Sequence, residues 1–266
     1  MISYGRMPMK SRRELFVFYV LDTSGSMRGL PISTLNRAMG ESLLALRQVA
    51  ANNGDARIKV AVLEFNTGCR WMQAAGPEDM EDFIWEDLKA GGLTFMGDAV
   101  RELSSKMTRD EFLKSTTGLY VPVVIFMTDG YASDNYQEAL DEALKNEVFS
   151  EAVRIGFAIG DDADVEMIAR LTGSEDAVLK TNDLDVFADM LVFVTESAST
   201  MSIIPDGVQS SRMGAEVAKR ARQRLGSDAG SGGGALAGPG SGSGGATADG
   251  QGWGVGTGHT WDLPDW

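Results

Sequence analysis

Two kinds of apolar pattern alternate along the chain. Residues 15–21, Leu-Phe-Val-Phe-Tyr-Val-Leu, form an unbroken apolar run, the mark of a strand buried on both faces. Pro31 follows at a position where a helix can open. Ile32, Leu35, Met39, Leu43, Leu46 and Ala50 then recur at spacings of three and four, one apolar stripe of a helix. Asn53-Gly54 ends that stripe, and residues 58–65 read as the next strand. Asn66-Thr67-Gly68 is a tight turn, and residues 69–72 a short returning strand. Val100, Leu103 and Met107 mark another helix. Residues 121–127 form a third buried strand, with Pro122 at its start, where a missing donor does least harm. A helix with Leu140, Ala143 and Leu144, a strand at 153–159, a helix near 165–171, a short strand near 177–179 and a helix at about 184–194 complete the series.

This alternation predicts an α/β fold: a doubly wound, mainly parallel central sheet with one antiparallel edge strand and helices on both faces. Ligands of such sheets bind beyond the carboxyl ends of the central strands.

Composition divides the chain. Residues 1–11 read as an N-terminal extension and 12–200 as the folded domain. Residues 201–225 read as a connector, partly helical and basic through Arg212, Lys219, Arg220, Arg222 and Arg224, and solvated. Of 32 glycines, 15 fall in 226–258, so this Gly/Ser/Ala-rich stretch is expected to be a disordered, flexible linker. Residues 259–266 hold Trp261, Asp262, Asp265 and Trp266, aromatic anchors beside carboxylates. They suit partner binding, an internal plug for the chain's own metal site, or a solubilising tail.

Charge and rare residues narrow the function. Lys+Arg is 24 against Asp+Glu 38, a net charge of −14, which argues against nucleic acid as a partner. One Cys (Cys69) and one His (His259) exclude an intramolecular zinc cage of Cys and His. The lone Cys suits a reducing compartment. The basic start lacks a cleavage pattern, and no apolar run is expected to approach the ~20 residues of a bilayer span. The expected setting is the cytoplasm, with no membrane.

The chemistry gathers after the strands. Asp22-Thr23-Ser24-Gly25-Ser26 follows the first, Thr128-Asp129-Gly130 the third buried one, and Gly91-Gly92-Leu93-Thr94 precedes a helix. These stretches supply carboxylates and hydroxyls, a hard-oxygen set that suits Mg²⁺ or Mn²⁺ rather than zinc or copper. Plainer readings stay open: Asp22 and Ser24 as helix caps, Asp129-Gly130 as a turn. Asp161, Asp162, Asp164 and Glu166 read as a charge cluster at a helix N-terminus.

Asp22-x-Ser24-x-Ser26, Thr94 and Asp129 together resemble the metal-ion-dependent adhesion site of the von Willebrand factor type A family, over about residues 12–197. The resemblance implies direct ligation by the Ser24 and Ser26 hydroxyls. It implies a role for Asp22 and Asp129 mainly through bound waters, with direct coordination by one of them left open, and direct or water-mediated ligation by Thr94. It further implies an open coordination position that a carboxylate from a protein partner completes. Pro31-Ile32, Tyr136-Gln137-Glu138-Ala139-Leu140 and residues 158–164 look like the bacterial cytoplasmic tellurite-resistance-associated type. That subgroup implies an adaptor in a signalling or stress system, beside a protein kinase and a protein phosphatase. The competing class is a metal-dependent phosphatase or other hydrolase on the same acidic site. Against it, Ser24 stands where haloacid-dehalogenase-like enzymes place a second Asp, Asp22 lacks the acidic neighbour of a receiver domain, and no phosphate-binding Gly-x-x-x-x-Gly-Lys run exists. No catalytic residue is expected.

Overall fold

The first strand, Arg13–Asp22 (β1), is buried at every position after Arg13. It can be, because strands flank it on both sides: β2 (Ala56–Phe65) and β5 (Val123–Thr128) both pair with it in parallel. The computed structural model describes residues 11–203 and 210–226. Its sheet runs β3-β2-β1-β5-β6-β7, with β3 (Cys69–Trp71), β6 (Val153–Ile159) and β7 (Val178–Thr181) completing the path. A two-residue strand, β4 (Glu78–Asp79), also pairs with β2. The antiparallel edge is therefore two short strands rather than the one expected, because β2 is long enough to seat both along its outer side.

Helices cover both faces. Leu30–Asn52 (α1), Leu184–Ile203 (α6) and Ser210–Gly226 (α7) lie on one, packed against Leu15, Val17, Tyr19 and Leu21 of β1. Met96–Lys106 (α2), Tyr136–Ala143 (α3), the single turn Glu147–Ser150 (α4) and Val165–Thr172 (α5) lie on the other, against Phe16, Phe18 and Val20. The period of two thus splits a continuous apolar run between two cores. β1 leads to β2 on one side and the chain then crosses to β5 on the other. The crevice between the carboxyl ends of β1 and β5 is the switch point at which such sheets bind ligands.

Two expectations change here. Helix α7 falls in the stretch read as a solvated connector, yet Met213, Val217, Ala218 and Ala221 are buried in the same core as α1 and α6. Three of its basic residues make specific contacts: Arg222 donates to the carbonyls of Val178 and Asp176, Arg220 pairs with Glu216, and Arg224 lies over the Phe193 ring. Gly214 makes the approach possible, since a Cβ there would lie 2.6 Å from the Arg154 carbonyl oxygen. Helix α6 runs nine residues past its expected end at Val194. With 20 residues and a mean hydropathy of 1.3, it has the length and apolarity of a membrane span, contrary to the expectation that no run approaches one. Here Phe187, Leu191, Val194 and Ala198 are fully buried against the sheet and its neighbouring helices. Residues 1–10 of the expected 1–11 extension, nearly all of the 226–258 linker and the 259–266 motif lie outside the described residues.

Candidate metal centre

β1 and β5 end side by side, so Asp22 and Thr128 meet at the crevice floor. The Thr128 hydroxyl donates to Asp22 Oδ2 at 2.5 Å, and the Ser24 N–H donates to Asp22 Oδ1 at 2.7 Å. Asp22 and Ser24 are buried, Asp129 is half-buried and Ser26 is exposed. The site thus rises from a closed floor to an open rim. The Ser24 and Ser26 hydroxyls lie 3.0 Å apart, and the Ser26 hydroxyl donates to Asp129 Oδ1 at 2.7 Å. Ser26, Thr94 and Asp129 line one cleft of about 560 Å³, together with Pro31, Tyr131 and Asp162.

The reading of Asp22 and Ser24 as caps of the following helix does not survive this geometry. α1 begins at Leu30 with Gly29 as its cap, so neither Asp22 nor Ser24 caps it. Gly25–Met27 is a 3-10 turn whose cap residue, Ser24, makes no capping bond with its side chain. Asp164 does cap α5, accepting from Met167 N–H at 2.9 Å, as the charge-cluster reading expects.

Thr94 is held by its backbone. Its carbonyl accepts from Ser133 N–H at 2.8 Å, and the preceding loop is laced to the first, Gly25 N–H to Gly92 O at 3.0 Å and Gly91 N–H to Thr23 O at 2.8 Å, while Phe95 N–H binds Asn66 O in the turn after β2 at 2.8 Å. Gly92 has φ +85°, and a Cβ there would lie 2.5 Å from Thr67 Oγ1. That hydroxyl accepts from Leu93 N–H at 2.9 Å. Asp134 joins the third loop to the helix after Thr94, accepting from Gly97 N–H at 3.0 Å and Asp98 N–H at 3.1 Å. Sequence reasoning missed Thr128, Thr67 and Asp134. Thr128 stands beside Asp129 in the motif text, but its partner lies across the sheet.

The electrostatics ask for a cation. Burial raises the Asp22 carboxyl above its ordinary value, against the lowering effect of its bonds from Thr128 and Ser24. Burial likewise raises Asp129, opposed by the Ser26 bond and reinforced by the charge of Asp162. Among the described residues neither carboxylate pairs with a Lys or Arg. No group of three or more His, Cys, Asp or Glu among them is placed to hold a metal, so hydroxyls must share the task. The oxygens present fit a hard cation. Neighbouring ligands of an octahedral Mg²⁺ at ~2.1 Å lie about 3 Å apart, the spacing of Ser24 Oγ, Ser26 Oγ and Asp129 Oδ1.

Comparison with known proteins bears on the fold and the family. The solved structures it resembles include a von Willebrand factor type A protein from Catenulispora acidiphila (17% identity, TM-score 0.53, covering 70% of this chain and 42% of that one). A second is proximal thread matrix protein 1 from the mussel byssus, described with zinc in its MIDAS motif (16%, 0.53, 71% and 48%). A third is the pilus adhesin SpaC from Lactobacillus rhamnosus GG (12%, 0.50, 80% and 31%). At such identities the likeness is one of fold, and the chain spans less than half the length of each. No curated protein matches the chain. The profile of the von Willebrand factor type A domain matches residues 17–193, well over half of the sequence, with Asp22, Ser24, Ser26, Thr94 and Asp129 all inside it. The chain belongs to the von Willebrand factor type A domain family.

Proposed function

We propose that the chain captures protein partners through a divalent ion at the β1–β5 crevice, completed by a carboxylate of the partner. The observation that carries this reading is the run of oxygens from Ser24 through Ser26 to Asp129, on a cleft that Thr94 also lines. Ser24, Ser26 and Thr94 would ligate through hydroxyls, with Asp22 holding the ion's waters and Asp129 ligating directly or through a water. Bound there, the ion supplies a local positive position that an Asp or Glu can complete despite the chain's net charge of −14. The choice of Mg²⁺ or Mn²⁺ rests on the all-oxygen donor set. Zinc enters the test as a competitor because the mussel protein holds it.

An interaction module is favoured over an enzyme by Asp22 itself. The side chain is fully buried and both its oxygens accept hydrogen bonds, so it is not presented to a substrate as a nucleophile. The finer reading is a cytoplasmic adaptor beside a protein kinase and a protein phosphatase, in a stress or tellurite-resistance system. Its support is the text at Pro31-Ile32, 136–140 and 158–164. The C-terminal Trp261, Asp262, Asp265 and Trp266 are proposed as a separate docking motif.

Titration calorimetry with Mg²⁺, Mn²⁺ and Zn²⁺, on the wild type and on Asp22→Ala and Asp129→Ala, tests the site. Affinity purification with and without EDTA tests the function. Partners that stay bound in chelator and to Asp22→Ala overturn the reading. Metal-dependent phosphate release that Asp129→Ala abolishes would replace it with the hydrolase. Deletion of 259–266 with no change in partner affinity removes the docking motif.

A further inference from the structure

Each of the three loops that bring oxygens to the metal centre also exposes one large apolar side chain. Leu30, four residues after Ser26, is 68% exposed; Leu93, just before Thr94, 53%; Tyr131, two after Asp129, 64%. Exposed apolar side chains scattered singly are ordinary, but a cluster around a cleft marks a contact surface. The exposure of Leu93 is imposed by its loop. Its N–H is bound to Thr67, Gly92 before it is turned at positive φ, and Phe95 is tied to Asn66. Leu30 opens α1 beside Pro31, and both Pro31 and Tyr131 line the cleft.

The cleft wall also carries Asp161, Asp162 and Asn182. Asp161 accepts from Asn182 Nδ2 at 2.6 Å and lies 4.0 Å from Lys180. Asp162 has no ion-pair partner among the described residues, and its charge is felt at Asp129. The cleft lining thus combines Pro31 and Tyr131, negative charge and the metal-site oxygens, and Leu30 and Leu93 are exposed at the positions next to the lining residues Pro31 and Thr94.

Resting on the carboxylate-capture reading above, we infer that the partner segment presents one carboxylate flanked by bulky apolar residues and by a basic one. The apolar neighbours pack on Leu30, Leu93 and Tyr131, adding contact area that one metal–carboxylate bond lacks. The basic neighbour faces Asp161 and Asp162, and a second carboxylate there is repelled, so the wall acts by rejection as well as attraction.

A bead-displayed peptide library with a central Asp or Glu and randomised flanks tests this, screened with the full chain in Mg²⁺ and again in EDTA. The expected EDTA-sensitive binders are rich in Leu, Ile, Met or Phe and in Lys or Arg, and poor in further Asp or Glu. Leu30→Ser and Leu93→Ser each weaken them about tenfold, Asp162→Lys inverts the charge preference, and Leu44→Ser, on an exposed position along α1, changes nothing. Circular dichroism and the Mg²⁺-induced rise in Tm verify that each variant is folded and loaded. EDTA-sensitive binders without apolar or basic enrichment, or rich in acid, overturn the inference and leave carboxylate capture standing. A library with no EDTA-sensitive binder overturns both.

Discussion

Thr128 and Asp22 are joined side chain to side chain, at 2.5 Å, across the boundary between β5 and β1. Both are buried, and the other Asp22 oxygen is held by Ser24 N–H. Asp22 is thereby locked to two strands of one sheet. It sets the position of the Ser24 turn, and so of the hydroxyls that face the cleft.

Thr128→Val removes that donor and leaves a buried carboxylate oxygen unserved, at a cost of about 1–3 kcal/mol. Urea denaturation in EDTA is expected to show this loss, and calorimetry a weaker Mg²⁺ affinity. Thr128→Ser keeps the hydroxyl and is expected to recover most of both. Equal stability of the Val and Ser variants would show that the bond does not position Asp22.

The raised Asp22 and Asp129 carboxyls give a pH dependence with a definite sign. A carboxyl whose folded value lies above its unfolded one binds protons more readily in the native state. Its stabilising share is full below the unfolded value of about 3.9 and is lost as pH rises through the folded value. In chelator, the contribution of these two groups to Tm therefore falls as pH rises from acid toward neutral. Divalent ion reverses the trend, because the ligands must be ionised to hold it. The gain in Tm on adding Mg²⁺ is expected to grow between pH 5 and pH 8, and to be flat for Asp22→Asn/Asp129→Asn. An equal gain at both pH values in the wild type would contradict the assignment.

Gly92→Ala meets two obstacles, a positive φ and a Cβ 2.5 Å from Thr67 Oγ1. Gly29→Ala meets only the first, with φ +82° and open space around it. Backbone strain alone costs about 1–2 kcal/mol. Gly92→Ala is expected to lose more than Gly29→Ala on denaturation, and to weaken Mg²⁺ binding because Thr94 moves with the loop. Indistinguishable variants would mean that Thr67 yields without disturbing Thr94.

Val217 tests whether α7 belongs to the domain. It is fully buried, so Val217→Ala is expected to cost about 1–3 kcal/mol in urea denaturation. A helix that were only a solvated connector would show no change.

Cys69 should be a poor nucleophile. The residue is exposed on β3, but partial desolvation of its thiol, with the charges of Glu102 and Asp98, pushes it up to about 11. Alkylation by iodoacetamide at pH 8 is expected to run slower in the folded chain than in urea. Similar rates would refute that environment.

The expected elements and the observed ones agree most closely where local pattern and burial coincide. The run at 15–21 lies within β1, and 153–159 matches β6. They diverge where a partner from elsewhere in the chain decides. β4 is two residues, Glu78 and Asp79, with no apolar period; it is a strand only because β2 has free backbone groups beside it. The α7 stripe of Met213, Val217 and Ala221 is diluted by arginines, of which Arg222 donates to carbonyls of the distant residues Val178 and Asp176.

The sequence by itself determined the alternation of strands and helices, the oxygen chemistry of Asp22, Ser24, Ser26, Thr94 and Asp129, and the family likeness, because these depend on residue type and short spacing. The adjacency of β1 and β5, the hold of Thr128 rather than a cap role on Asp22, and the gathering of Tyr131, Asp162 and the site oxygens on one cleft came from the packing of the whole chain. Those contacts join residues far apart in the chain. The packing of two cores against one sheet creates them, and no local pattern encodes which loops that packing brings together.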